Sequence, residues 1–203
     1  MPRIALKERT QPIQPSLSIA DFLAFTASRP DEERWELIEG KPVLNASPVQ
    51  IHQLIAVNIA SALNAAKARL DAPWVALLGV GTIVPLSVNS LPQPDVYVQA
   101  GEVLDQPTTD DAMVIFEILS PSNRKADQAW RQQVYASVPN CLHYVTVSLK
   151  RPEVSAYDRV HAWKVRKVSG LGASLDLPGL NVGEQSLKLA LADIYRYTLL
   201  GSN

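Results

Sequence analysis

A short apolar run over residues 113–119 is interrupted only by Glu117. A run of this length that ends at a Ser-Pro-Ser turn is typical of a strand buried on both faces, at the centre of a sheet. A carboxylate inside such a strand is costly unless it is paired, protonated or bound to a metal. The pattern therefore predicts a partner for Glu117, and the sequence upstream offers Asp95, at the start of another predicted strand.

The chain before this strand begins with an arm, a short helix and a hairpin. Residues 1–17 are mostly polar, contain three prolines and are expected to form a flexible N-terminal arm. Ser18 is the predicted cap of the short helix, with Asp21 in the capping-box position. Alternating apolar residues over 34–44, with Glu39-Gly40 as the turn, predict the hairpin.

The remaining elements alternate between helix and strand. Apolar residues at helical spacing over 48–70 predict a long helix that begins near Ser47 or Pro48. The strand predicted over 74–85 contains Gly79 and Gly81, which indicate a bend, a bulge or a close backbone approach. The other predicted elements are strands at 94–100, 141–149 and from 154, a helix over 123–137 capped by Ser122 or Asn123, an exposed strand over 159–168, and a closing turn and short helix over 177–195. No linker or repeat divides them, so residues 18–203 are expected to form a single α/β domain.

Composition narrows the class of protein. Apolar residues make up 47% of the 203 residues and charged residues 19%, as in globular proteins. The formal net charge of −1 excludes a protein that coats nucleic acid through its overall charge. The single cysteine, Cys141, suits a reducing cytosol, and no apolar stretch reaches the length of about 20 residues that spans a bilayer. Without a signal peptide at the N-terminus, a cytoplasmic protein with no membrane contact is expected.

Asp95 and Glu117 meet if their strands are neighbours. Two carboxylates in a partly buried site repel each other unless a cation lies between them. A hard divalent cation with oxygen ligands, Mg²⁺ or Mn²⁺, is the natural occupant, and the backbone carbonyl of Ile118 adds a third oxygen. Such a metal polarises a phosphoryl oxygen and generates hydroxide for in-line attack.

An ordered set of motifs extends beyond this acid pair. Its members are Trp35 to Gly40 (WELIEG), His52 opening a helix, Pro94-Asp95, Glu117 to Ser122 (EILSPS), Asp127, Tyr135 and Leu177 to Leu180 (LPGL). The set resembles the bacterial, cyanobacteria-rich Uma-type family of putative restriction endonucleases, which belongs to the PD-(D/E)XK nuclease superfamily. The resemblance runs from about Ser18 to Tyr195. It implies a restriction-endonuclease-like core with a mixed central sheet flanked by helices, an N-terminal helix and hairpin, and a C-terminal strand extension.

The resemblance also implies roles for individual residues. Asp95 and Glu117 take the metal-binding and catalytic positions, whereas Glu36 and His52 match positions near the site and are interpreted as substrate-binding. The superfamily usually carries a Lys where this chain has Leu119. The family tends to place its Lys in the following helix, four residues after Asp127. That position is Arg131 here, and Lys125 is the nearest lysine; these two complete the predicted catalytic set. Arg stays protonated, so it can bind phosphate or stabilise developing charge but cannot act as a base.

Several of these residues also have ordinary structural interpretations. Glu36 and Glu39 fit solvated acids at a hairpin edge, and His52 fits a half-buried structural histidine. Asp127 and Arg131 have the i,i+4 spacing of a surface ion pair, and Tyr135, one turn further, fits core packing. The basic residues Arg159, Lys164, Arg166 and Lys167 fit either a DNA-backbone contact or a solvated strand face.

Two functions follow from the sequence. The first is a Mg²⁺-dependent endonuclease, a hydrolase that cuts DNA phosphodiester bonds. The second is a catalytically inactive relative that serves as a nucleic-acid-binding or protein-interaction module. Because nucleases that cut both strands often form two-fold dimers, a homodimer paired along an exposed basic strand is one arrangement that suits the first function.

Overall fold

A computed structural model describes residues 16–30, 32–120, 125–182 and 185–201. The helices are α1 (Ile19–Thr26), α2 (Gln50–Leu70), α3 (Lys125–Ala136) and α4 (Leu191–Ile194), with a single 3-10 turn at Arg159–His161. The strands are β1 (Arg34–Ile38), β2 (Lys41–Asn45), β3 (Trp74–Leu78), β4 (Gly81–Thr82), β5 (Val96–Ala100), β6 (Thr108–Thr109), β7 (Ala112–Leu119), β8 (His143–Ser148), β9 (Glu153–Asp158), β10 (Val165–Ser169), β11 (Ser174–Val182) and β12 (Gln185–Ala190). This is the predicted α/β architecture.

A six-stranded mixed sheet in the order β10-β9-β8-β7-β5-β3 forms the centre of the fold. Strand β7 lies inside it, parallel to β8 and antiparallel to β5. Its residues from Val114 to Ile118 are all buried, as the apolar run predicts. A strand with neighbours on both sides and helices on both faces has no contact with water that would favour polar residues.

Helices cover the two faces of this sheet. The long helix α2 packs Ile55, Ile59 and Leu63 into the larger core cluster, which also contains Val114 and Phe116 of β7. On the other face, Val134 and Tyr135 of α3 pack with residues that include Ile115 and Tyr144. Since alternate residues of a strand face opposite sides, Glu117 lies on the same face as Ile115, toward α3.

The N-terminal helix and hairpin form as predicted. Ser18 caps α1, its hydroxyl accepting a hydrogen bond from the backbone N–H of Asp21 at 3.1 Å, and the Asp21 carboxylate accepts one from the N–H of Ser18. Strands β1 and β2 are joined by Glu39-Gly40, both with positive φ, the conformation that a tight two-residue hairpin turn requires. Leu37 is fully buried and anchors the hairpin to the core.

Three predicted elements differ from the structure. The predicted strand over 74–85 ends at Leu78, and β4 pairs with β6 in a separate two-stranded sheet. Gly79 lies at the break, where a Cβ atom would come within 2.6 Å of the carbonyl oxygen of Pro94, the close approach that its glycines indicate. The predicted closing turn over 177–195 is mostly a hairpin, β11–β12, with a bulge after Leu177; only its last part, α4, is helical. Residues 159–161 form the 3-10 turn rather than the start of a strand.

Element ends also shift. Helix α2 begins at Gln50 after an N-cap at Val49, and α3 begins at Lys125; the predicted caps Ser122 and Asn123 lie outside the described residues. Residues 1–15 of the predicted arm lie outside them too. Among the helices that the structure describes, none combines the length and the apolar character needed to cross a bilayer.

The predicted basic strand forms the sheet edge as β10. Two of the four basic residues of the predicted stretch are exposed, and the other two bind groups within the fold. Lys164 and Lys167 are exposed, as a solvated face or a DNA contact requires. Arg166 instead pairs with the buried carboxylate of Asp158 at 3.1 Å. Arg159 donates to the backbone carbonyls of Cys141 and Val138. Two of the four cations therefore hold the fold together.

Candidate functional site

An open cleft of about 330 Å³ lies between the β1–β2 hairpin, the first turn of α2 and the ends of β5 and β7. The charged and polar side chains that line it come from all of these elements and from α3. They include Arg34, Glu36, Asn45, His52, Gln93, Asp95, Glu117, Ser120 and Arg131. Most of the sequence-predicted site residues therefore meet in one place.

Asp95, directly before β5, and Glu117, in the neighbouring strand β7, line the same cleft. Strand β5 pairs with β7 in the register Val96 to Phe116, and the N–H of Asp95 donates to the carbonyl oxygen of Phe116 at 3.1 Å. The Asp95 Oδ2 atom accepts a hydrogen bond from the N–H of Ile118 at 2.7 Å. Because β5 and β7 are neighbours, both acids line one cleft and lie close enough for the Asp95 charge to raise the pKa of Glu117.

His52, in the first turn of α2, contacts Asp95. Its Nε2 atom lies 3.2 Å from Asp95 Oδ2. Its Nδ1 atom is buried and has no hydrogen-bond partner among the residues that the structure describes. His52 therefore orients the Asp95 carboxylate. This contact gives it a role at the site in addition to that of a half-buried structural histidine.

Arg131 of α3 lies between two buried acids. Its Nη1 atom donates to Glu117 Oε1 at 2.9 Å, and its Nη2 atom donates to Glu36 Oε2 at 2.7 Å. The phenol of Tyr135 donates to the same Glu117 Oε1 at 2.9 Å. The interpretation of Asp127 and Arg131 as a surface ion pair is wrong, because Arg131 points inward to these acids while Asp127 is exposed.

Glu36 is 2% exposed, so its interpretation as a solvated acid is wrong, whereas Glu39 is exposed as that interpretation requires. Glu36 Oε1 accepts from the backbone N–H of Gln93 at 2.6 Å, and Oε2 accepts from the Asn45 amide at 2.9 Å. These bonds fix the Glu36 carboxylate, which in turn fixes Arg131. Its predicted contact with substrate stays a prediction, since this geometry makes Glu36 an anchor beneath the cleft.

Among the described residues that line the cleft, the acids outnumber the arginines. Burial raises the pKa of the Glu117 carboxyl to about 8; the Arg131 charge opposes the rise, whereas the charges of Asp95 and Glu36 add to it. Burial disfavours the charged guanidinium of Arg131, but Glu117 and Glu36 outweigh this and raise its pKa well above the usual value. Burial and the Glu117 charge raise the pKa of Tyr135 likewise, so its phenol remains a proton donor. The Arg131 charge is therefore not enough to keep the Glu117 carboxyl ionised at neutral pH.

The donor set fits a hard divalent cation. Asp95 and Glu117 supply carboxyl oxygens, and Ile118, the predicted third ligand through its carbonyl, is among the residues that line the same cleft. Both described hydrogen bonds to Glu117 end on Oε1 rather than Oε2. Within the described ranges, no group of three or more His, Cys, Asp or Glu side chains has the arrangement of a metal cage. Mg²⁺ is nevertheless commonly held by one or two carboxylates, with water and substrate phosphate completing its shell.

Lys125 does not join this cluster. It is the first residue of α3, is exposed, and does not line the cleft. The cleft lining contains arginines but, within the described residues, no lysine. The catalytic role predicted for Lys125 remains untested, and Arg131 is the predicted cation that the structure brings to the acids.

The sequence pattern does not predict the contacts that three residues make at the site. Tyr135 is fully buried, as core packing predicts, but it also donates to Glu117. Its place one helical turn after Arg131 was the available signal. Asn45 and the backbone of Gln93 bind Glu36, and nothing local in the sequence indicates these contacts, because they depend on how the hairpin packs against the chain before Asp95.

Comparison with known proteins identifies the family and supports the fold. Residues 19–192 match the family model Uma2, described as "Putative restriction endonuclease". The fold is similar to the crystal structure of a "putative nuclease" belonging to DUF820 from Anabaena variabilis, with a TM-score of 0.67 and 18% sequence identity over 84% of this chain and 94% of that chain. Among curated proteins, none matches. Because the family model covers most of the chain, this protein belongs to the Uma2 family of putative restriction endonucleases.

Proposed function

We propose that the protein is a Mg²⁺- or Mn²⁺-dependent endonuclease that hydrolyses DNA phosphodiester bonds in this cleft. The observation that carries the proposal is that the carboxyl groups of Asp95 and Glu117, brought by the neighbouring strands β5 and β7, line one cleft, where the Asp95 charge adds to the raised pKa of Glu117. Membership of the Uma2 family supports a nuclease, and the acid pair supports a metal-dependent one. Asp95, Glu117 and the Ile118 carbonyl would hold the metal.

A divalent cation at these oxygens would polarise the scissile phosphate and lower the pKa of a bound water. Hydrogen bonds from neighbouring residues orient the two carboxyl groups. The Ile118 N–H and His52 hold the Asp95 carboxylate from two directions, and Tyr135 holds Glu117 through Oε1. A carboxylate fixed in this way loses little freedom when it takes up its ligand, which favours binding.

Arg131 is proposed to bind the substrate phosphate and to stabilise the charge that develops on it. A guanidinium carries five donors in a planar fork, and two of its nitrogens already bind Glu117 and Glu36. Its remaining donors suit phosphate oxygens, and its permanent charge excludes it as the base. This role is the one that the family's lysine would otherwise supply, with Lys125 as the exposed second candidate.

DNA is the proposed partner, in the cytoplasm, where a chain with one buried thiol needs no oxidising environment. For double-strand cleavage we extend the proposal to a two-fold dimer. Strand β10 lies at the end of the central sheet; Lys167 within it and Lys164 directly before it are both exposed. Charged edges usually discourage pairing, so a dimer through β10 is expected only when DNA phosphates neutralise these lysines.

One observation favours a second function. The superfamily's usual lysine position is Leu119, and the described part of the cleft lining holds no lysine in its place. A protein with an intact acid pair but no competent base would bind nucleic acid, or another protein, without cutting. This inactive binding module is the alternative that the cleavage experiment separates.

The test is cleavage of supercoiled plasmid and of single-stranded DNA with Mg²⁺ and with Mn²⁺. Wild type is compared with Asp95→Ala and Glu117→Ala, and with Asp105→Ala, an exposed loop acid outside the cleft, as the matched control. Cleavage by wild type and the control that is lost in both site variants supports the nuclease. DNA binding without cleavage supports the alternative, and cleavage that survives both substitutions refutes the assigned site.

A further inference from the structure

A second groove adjoins the cleft on the far side of the Glu36–Arg131 ion pair. It has a volume of about 520 Å³ and lies between the β1–β2 hairpin and α3. Glu36, Asn45 and Arg131 line both cavities, so the ion pair is a shared wall rather than the floor of a single site. A ligand that extends past Arg131 from the cleft therefore enters this groove.

The wall of the groove is aromatic and apolar. Trp130, next to Arg131 on α3, is half-buried and packs against the core cluster on this face of the sheet. Ile38 and Val43 of the hairpin stand on the opposite side of the groove. An indole held by packing loses little entropy when a planar ring stacks on it, which makes Trp130 a prepared stacking surface.

The charges of the groove select against phosphate. Arg131 is the one cation in its described lining, and it is already paired with Glu36 and Glu117. Two further acids, Glu39 and Asp127, line the groove and are exposed. Carboxylates repel a phosphodiester but accept hydrogen bonds from the amino and imino groups of nucleobases.

We propose that this groove is a nucleobase subsite, which holds an unpaired base of the strand whose phosphate lies beside Arg131 in the cleft. The inference rests on the proposed nuclease function. It adds a substrate class, because a base can reach Trp130 only when it has left the duplex stack. The expected substrate is therefore single-stranded or frayed DNA, or duplex DNA from which the enzyme flips a base, and duplex DNA whose bases all stay stacked is disfavoured.

The experiment measures fluorescence anisotropy of a labelled oligothymidylate with EDTA present, so that binding is recorded without cleavage. A second probe has the same length and backbone but abasic sugars. Wild type is compared with Trp130→Ala, with the stacking-competent Trp130→Phe, and with Trp163→Ala. Trp163 is a matched control because it is half-buried against the same core cluster but does not line the groove.

We expect wild type to prefer the base-bearing probe about tenfold and Trp130→Ala to lose that preference, while Trp130→Phe and Trp163→Ala keep it. Equal binding of the base-bearing probe by wild type and Trp130→Ala overturns the subsite alone and leaves the nuclease proposal standing. If wild type binds neither probe, the subsite is overturned, whereas the proposed function is decided separately by the cleavage experiment, in which the divalent metal is present. Thermal unfolding of each variant identifies a loss of binding that is caused by misfolding. If Trp130→Ala does not fold, the subsite is tested with Trp130→Phe, whose loss of the base preference would overturn it.

Discussion

Replacing Glu117 with Gln should change the pH dependence of stability in a defined direction. Glutamine keeps the acceptor oxygen for Arg131 and Tyr135 but removes the ionisable group. In the wild type, burial raises the pKa of Glu117 from 4.5 to about 8. Between pH 4.5 and about pH 8, Glu117 is therefore protonated in the folded protein and ionised in the unfolded chain.

The sign and size of the effect follow from linkage. Each pH unit between the two pKa values changes the free energy of unfolding by about 1.4 kcal/mol, and the folded state is the one with more bound protons. Stability from this group is therefore lost as the pH rises, by about 2 kcal/mol at pH 6 and about 4 kcal/mol at pH 8. The Gln variant has no such loss. Its free energy of unfolding relative to that of wild type should therefore increase by about 2 kcal/mol between pH 6 and pH 8.

Urea unfolding at several pH values in this range, with EDTA present, measures the difference between the two proteins. Taking the difference cancels the other titrating groups, and Glu102→Gln, at an exposed loop position, is the control that should stay parallel to wild type. A difference that does not change with pH would refute the raised pKa of Glu117. If Arg131 dominated and held the pKa of Glu117 below 4.5, the difference would be constant between pH 6 and pH 8 and would change only in more acidic solution.

Three further predictions test the same network. Arg131→Ala leaves the buried Glu36 carboxylate without a counter-charge and removes a hydrogen bond to Glu117, so it should lower the free energy of unfolding at neutral pH by about 3–5 kcal/mol, as measured in urea, with Arg131→Lys less affected. Tyr135→Phe removes one hydrogen bond to Glu117 and should cost about 1–2 kcal/mol in the same assay. Mg²⁺ affinity, measured by calorimetry, should rise up to about tenfold per pH unit from pH 6 to 8, because the metal displaces the proton on Glu117; an affinity that does not vary with pH would contradict this.

The sequence was informative where a local pattern reflects burial. The apolar run that contains Glu117 predicts the central strand because both faces of that strand are buried. The capping box of α1 and the Glu39-Gly40 turn are also predictable, because they depend only on neighbouring residues. Asp95 was found in the same way, from its place at the start of a strand. The pairing of these two acids also required that β5 and β7 be neighbours, which the register of the sheet supplies.

Long-range contacts could not be predicted in this way. Arg131 and Glu36 are 95 residues apart, so their ion pair has no local signature, whereas the spacing of Asp127 and Arg131 gave a plausible local alternative that the fold does not use. The C-terminal hairpin was missed for a different reason. Pro178 and Gly179 are typical of a turn, but here they occupy the bulge that follows Leu177 in β11, within the strand.

The central claim is that Asp95 and Glu117 hold one divalent metal ion. Electron paramagnetic resonance of Mn²⁺, which loses its free-ion signal on binding, measures this directly in wild type, Asp95→Asn and the exposed control Asp105→Asn. The account predicts that wild type and the control bind Mn²⁺ equally, in competition with Mg²⁺, and that Asp95→Asn binds it at least about tenfold more weakly. Equal binding by Asp95→Asn, or no binding by wild type near pH 8, would contradict it.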